Sequence, residues 1–165
     1  MLTQNYSFTR KTFVILSGKL EELELPYRFI EHTADIAVEV IASTLEDLFS
    51  LSCHAWRDAA IESTDTSSTE WKFVYFSAST PEELLVQFLG EINFLLYAHQ
   101  WVFNTVEELK IIVDDHEFKL YADLLGEPLD YNLHHLKEEI KAVTYHQMKV
   151  ERADGLYTTR IIFDI

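Results

Sequence analysis

The sequence predicts an α+β domain in which two main helices pack on a mixed, mostly antiparallel β-sheet. Two segments carry helix-start signals followed by apolar residues at three- and four-residue spacing, and many others are short runs of β-branched and aromatic residues. Most of those runs follow one another with no helix between them, which suits an α+β layer architecture. A doubly wound α/β fold needs more helices. A chain of 165 residues with a hydrophobic fraction of 48% is the right size for one core, so residues 26–165 read as a single domain. Residues 1–25 read as an N-terminal extension whose apolar run Thr12-Phe13-Val14-Ile15-Leu16 is a candidate added edge strand.

Tyr27 to Ile30 is a short strand candidate that delivers Glu31-His32-Thr33-Ala34-Asp35, and Ile36 to Ala42 continues as a second, β-branched one. Asp35 therefore falls at a strand start or a bend. Ser43-Thr44-Leu45-Glu46 has the capping-box pattern, in which a hydroxyl satisfies a free backbone N–H and the glutamate reaches back. The helix it starts buries Leu45, Leu48, Phe49, Ser52, Cys53 and Trp56 on one face and ends near Asp58. After a Ser/Thr-rich loop over residues 63–68, Trp71 to Phe76 is a strand, and Thr80-Pro81-Glu82-Glu83 opens the second helix. That helix is the more apolar one and runs to about His99.

Strands follow at Trp101 to Phe103, Val106 to Val113 and Phe118 to Leu124, with Gly126 and Pro128 expected to break the pattern. His134 to Ile140 reads as a short helix or turn, and Ala142 to Tyr145 as a strand. The last element is a hairpin, Met148 to Arg152 and Tyr157 to Asp164 around the turn pair Asp154-Gly155. Its second strand, inside the sheet, holds the chain terminus still.

The composition narrows the function. With 28 acidic and 13 basic residues the formal charge is −15, which repels phosphate backbones and argues against stable direct nucleic-acid binding. A basic partner protein is the easier inference. Cys53 is the only cysteine, so no intrachain disulfide forms, as befits a reducing cytoplasm. The first 19 residues contain no run long enough for a membrane span and no secretory pattern, so neither anchoring nor export is expected.

No phosphate-cradling glycine loop, Gly-x-Ser-x-Gly elbow, Cys-x-x-Cys or His-x-x-x-His spacing is present. Cys53 and His54 are adjacent on a helix, where neighbours diverge by about 100°, and so do not make a nucleophile and base. His134-His135 lacks ligand spacing and reads as a solvated loop pair. Asp35, set among apolar neighbours, either caps a turn, pairs with a cation or binds metal. Asp164 is followed only by Ile165, so a side-chain carboxylate and the terminal α-carboxylate stand next to each other and repel unless a cation neutralises them or the end is frayed and solvated. Oxygen-only ligands would select a hard divalent cation, calcium, magnesium or manganese. Lys141-Ala142-Val143-Thr144-Tyr145-His146 is dense in polar groups, but alternation in a strand sends Lys141, Val143 and Tyr145 one way and Ala142, Thr144 and His146 the other.

Six ordered blocks resemble the archease family: Glu31-His32-Thr33-Ala34-Asp35-Ile36, Ser43 to Phe49, Glu82-Glu83-Leu84-Leu85, Gly126-Glu127-Pro128-Leu129-Asp130, Lys137 to His146, and Phe163-Asp164-Ile165. Archeases are protein cofactors of the RNA ligase RtcB in tRNA splicing and RNA repair. The resemblance implies a small, cytoplasmic, non-catalytic protein that promotes guanylylation and multiple turnover of that ligase. It implies that Asp35, Asp164 and the Ile165 carboxylate join at one metal site, and that Lys141 is functional, with His32, Thr144 and His146 as further functional candidates. Ala37 stands where a glycine is expected in many relatives, and residues 1–25 have no counterpart in the resemblance. Two rival functions remain, a metal-dependent hydrolase or phosphatase assisted by Lys141 or His146, and a chaperone-like binding module whose carboxylates clamp the terminus.

Overall fold

A computed structural model describes residues 27–30, 34–62, 68–145 and 147–165, together with the backbone of two strands at 12–16 and 19–23. Those two, β1 (Thr12–Leu16) and β2 (Lys19–Leu23), pair antiparallel with each other in a sheet of their own. The domain proper continues through β3 (Tyr27–Ile30), β4 (Asp35–Ala42), α1 (Leu45–Ala60), β5 (Glu70–Ala78) and α2 (Pro81–Tyr97). It closes with β6 (Trp101–Asp114), β7 (Glu117–Pro128), β8 (Ala142–Thr144), β9 (Val150–Ala153) and β10 (Leu156–Asp164). The α+β class and the two helices are as expected. The strands form two principal sheets rather than one, β3-β4-β10-β8 with β9 also on β10, and β5-β7-β6. Each ladder among the described residues is antiparallel, so the sheet is not mixed.

Helix α1 begins one residue later than the capping-box pattern implies. Thr44, not Ser43, is the cap, accepting from the Asp47 N–H at 3.0 Å. Glu46 does not reach back; its carboxylate accepts from the Ile111 N–H of β6 at 3.2 Å, a tertiary contact that outcompetes the local one. Helix α2 starts as expected at Thr80, which accepts from Glu83 N–H at 3.2 Å. It stops at Tyr97, two residues short of His99, and Gln100 adopts positive φ to turn the chain into β6.

The expected pair of strands at Trp101 and Val106 is one strand, β6, carried across Asn104 by two register shifts. Strand β7 is not broken at Gly126, because the residue's missing side chain makes room for the Trp101 ring and the Val102 carbonyl across the ladder. Residues 134–140 form no helix. Asp130 caps a tight turn by accepting from the Asn132 N–H at 2.9 Å, and the chain then runs beside the end of α1, with Lys137 N–H donating to Ala60 and Glu62 N–H to His135. The hairpin turn has positive φ at both Asp154 (53°) and Gly155 (82°), the pairing that two-residue β-hairpins favour.

One apolar core joins all of this. Val38 and Val40 of β4, Ile161 and Phe163 of β10, and Leu120 and Leu124 of β7 meet the buried faces of α1 and α2. Phe49 stacks on Phe88 between the helices, and Trp56 Nε1 donates to Asn93 at 3.2 Å. Val150 N–H donates to Glu82 Oε1 at 2.8 Å, which ties the β9–β10 hairpin to the start of α2.

Candidate functional site

Alternation along β4 and β10 decides which side chains share a face. Ile36, Val38 and Val40 lie opposite Phe163, Ile161 and Thr159 and turn toward the core. Asp35, Ala37 and Glu39 lie opposite Asp164, Ile162 and Arg160 and turn the other way. Asp35 and Asp164 are thus direct cross-strand partners in the last rung of the ladder, a position in which Cβ atoms stand about 4.5–5.5 Å apart. Two carboxylates so placed repel across the strand pair unless something positive lies between them.

Strand β10 is held on both sides up to that rung. Asp164 is also opposite Ala142 of β8, and its carbonyl accepts from the Lys141 N–H at 2.8 Å. Ile165 is half-buried and packs against the core. A frayed, solvated terminus does not describe this end, and the α-carboxylate is fixed one residue beyond Asp164. The three expected oxygen donors therefore come from one corner of the sheet.

The other candidates are distributed around it. Lys141 is exposed and immediately precedes β8. Thr144, half-buried, faces Ile162 and so shares the Asp35–Asp164 face one rung pair along. The alternation expected through Tyr145 and His146 stops at Thr144, because the chain turns there, with Met148 N–H donating to the Tyr145 carbonyl and Gln147 at positive φ. His32 and His146 lie outside the described residues. Among the described residues no three His, Cys, Asp or Glu side chains gather as a metal cluster, so a site here has to count the terminal carboxylate among its ligands.

A residue with no sequence signal positions the Lys141 segment. The Tyr97 hydroxyl, at the end of α2, accepts from Ile140 N–H at 3.1 Å and stands 3.3 Å from the Glu138 carbonyl, to which it donates. A tyrosine on an amphipathic helix gives no hint of that reach. Burial pushes its phenol pKa up. The histidine pair also departs from expectation: His135 is exposed, but His134 is 2% exposed, its Nδ1 accepting from Asp130 N–H at 3.0 Å and its Nε2 lying 3.2 Å from Glu127. Cys53 is fully buried and desolvation raises its thiol pKa; His54 has its pKa lowered by desolvation and by Arg57. Neither is an activated nucleophile.

The fold and this corner define a class, a small α+β domain whose C-terminal strand ends inside a sheet against an aspartate of the neighbouring strand. The model of the Archease protein family (MTH1598/TM1083) matches residues 27–165, and the chain belongs to that family. It is 35% identical over 136 residues to Protein archease of Thermococcus gammatolerans, covering 82% of this chain and 95% of that one. It is 34% identical over 141 residues to Protein archease of Methanopyrus kandleri, covering 86% and 100%. The solution structure of Methanobacterium thermoautotrophicum protein 1598 superposes with a TM-score of 0.72 at 25% identity over 85% of this chain and 99% of that one. A Thermotoga maritima crystal structure, described as an archease and possible chaperone, gives 0.51 at 26% identity over 82% and 94%. No helix of the described residues is long and apolar enough to cross a membrane.

Proposed function

We propose that the chain is a cytoplasmic, non-catalytic cofactor of an RtcB-type RNA ligase in tRNA splicing or RNA repair, acting on the ligase's guanylylation and turnover. The observation that carries this is the Asp164–Asp35 rung, in which two acids and the fixed terminus occupy one corner of an otherwise ordinary sheet. Asp35, Asp164 and the Ile165 carboxylate would hold one divalent cation with oxygen ligands, calcium, magnesium or manganese, whose charge offsets their repulsion. The donor set fits such an ion, being all hard oxygen. Bound there, it would give the corner a positive centre suited to phosphate oxygens. Lys141, held at the same corner through its own N–H, adds a fixed positive group beside it. The net charge of −15 supports a basic protein surface, rather than RNA, as what the corner meets.

The test is ligase self-guanylylation with limiting GTP, with and without the chain. Asp35→Ala should reduce stimulation by about tenfold or more, as expected when one of three ligands of a metal site is lost. Undiminished stimulation would sink the proposal. Melting with calcium, magnesium or manganese gives a second readout: the wild-type midpoint should rise and that of Asp164→Asn should not. If Asp35→Ala melts early yet still stimulates, the carboxylates only clamp the terminus, as the chaperone-like reading has it. Phosphoester hydrolysis by the chain alone, lost in Asp164→Asn, would instead mark a metal-dependent hydrolase.

A further inference from the structure

The β5-β7-β6 sheet turns one face to the helices and the other away from the core. Along β5 the outward row is Trp71, Phe73 and Tyr75, which are 68%, 58% and 47% exposed. Apolar rows of this size on a sheet face mark contact surfaces more often than they stand bare in water. Register places Leu125, Asp123, Tyr121 and Lys119 of β7 beside that row, and beyond them Thr105, Glu108, Lys110 and Ile112 of β6. Tyr75 and Tyr121 already touch, with ring centroids 5.0 Å apart. A shallow depression of about 540 Å³ lies among Phe73, Tyr121, Asp123, Glu108 and Lys110.

The charges on this face are arranged in rungs. Glu108 is directly opposite Asp123, a like-charged cross-strand pair that costs stability, and the next rung holds Lys110 opposite Tyr121. No hydrogen bond or ion pair joins Glu108, Asp123 or Lys110 to another described residue. Counting Lys119, which also reaches Asp114 and Glu117, the face carries two acids and two cations on a chain whose net charge is −15. It is the neutral, aromatic part of an acidic molecule.

We propose that this face is an isologous contact between two copies of the chain. A two-fold axis lying across the strands, between the Phe73-Asp123-Glu108 rung and the Tyr75-Tyr121-Lys110 rung, lays each rung against the other rung of the second copy. Glu108 then meets Lys110 of the second copy, and Lys110 meets its Glu108. Asp123 meets the second copy's Tyr121 hydroxyl, which donates to it. Phe73 meets Tyr75, so that the depression of each copy takes aromatic side chains of the other. The repulsion between Glu108 and Asp123 within one copy is relieved by the cation across the axis. A single-stranded nucleic acid could stack on the same aromatics, but Asp123 and Glu108 stand where its phosphates would run. This inference is independent of the ligase proposal.

Sedimentation velocity on the full chain, from about 1 to 100 µM, reads the contact directly, a range that brackets a micromolar Kd. A concentration-dependent dimer is expected. Glu108→Lys and Lys110→Glu should each weaken it by about tenfold or more, and the double reversal should restore it, because the two-fold pairs each position with the other. Phe73→Thr, checked by far-UV circular dichroism for an intact fold, should leave monomer. A wild-type chain that stays monomeric throughout overturns the proposal, as does a dimer indifferent to both single reversals. Saturable quenching of Trp71 emission by a single-stranded oligonucleotide on a monomeric chain overturns it too.

Discussion

The cap of α1 turns on one residue. Ser43 and Thr44 both offer a hydroxyl, and the pattern Ser43-x-x-Glu46 favours the first, yet Thr44 Oγ1 takes the Asp47 N–H and Ser43 donates to the Asp47 carboxylate at 3.3 Å. What decides it is Glu46, drawn 65 residues along the chain to the Ile111 N–H and so unable to close the box. Thr44→Ala should therefore cost about 1 kcal/mol of unfolding free energy and Ser43→Ala only a few tenths, measured by urea denaturation. Equal losses would return the cap to Ser43. Residues of this kind show where sequence ends as a guide. The helix start was legible to within one position, because hydroxyls and acids act locally. The partner of Glu46 and the ring seated over Gly126 were not, since each is set by a strand that arrives later in the chain.

Among the elements, β10 matters most to the candidate site, and its neighbours were read correctly as strands before any register was known. Its alternation and its Asp154-Gly155 turn announced an ordered C-terminal strand, and the archease-like blocks announced which acids to watch. That Asp164 would land on Asp35 rung for rung is a property of pairing, and a slip of one residue would have sent the two carboxylates to opposite faces. The anchoring of the β8 segment was hidden altogether, because it comes from Tyr97 at the far end of α2. Tyr97→Phe strips the acceptor from the Ile140 N–H and the donor from the Glu138 carbonyl. The expected cost is about 1–3 kcal/mol, the range for a partly buried group left unpaired. Hydrogen exchange should locate the loss, with the Ile140 and Lys141 amides exchanging faster and the α1 amides unchanged. Uniformly faster exchange would mean that Tyr97 supports the whole core instead.

At the scale of the whole molecule, charge and apolar surface are kept apart. With 28 acids against 13 cations most carboxylates have no cation to pair with, while the exposed aromatics of β5 sit on a face of balanced charge. The two surfaces therefore answer salt in opposite ways. Attraction between an acidic chain and a basic ligase acts over about 10 Å at 0.1 M salt and over only about 3 Å at 1 M, so raising salt slows their encounter. A contact between two copies, each of the same sign, loses long-range repulsion under the same change and keeps its aromatic packing. The concentration of chain giving half-maximal guanylylation should rise severalfold between about 0.05 and 0.5 M sodium chloride, with the saturated rate following the ligase's own salt response. A half-maximal concentration that does not move would show that the ligase reads the Asp35–Asp164 corner and its immediate neighbours without help from the acidity of the rest of the chain.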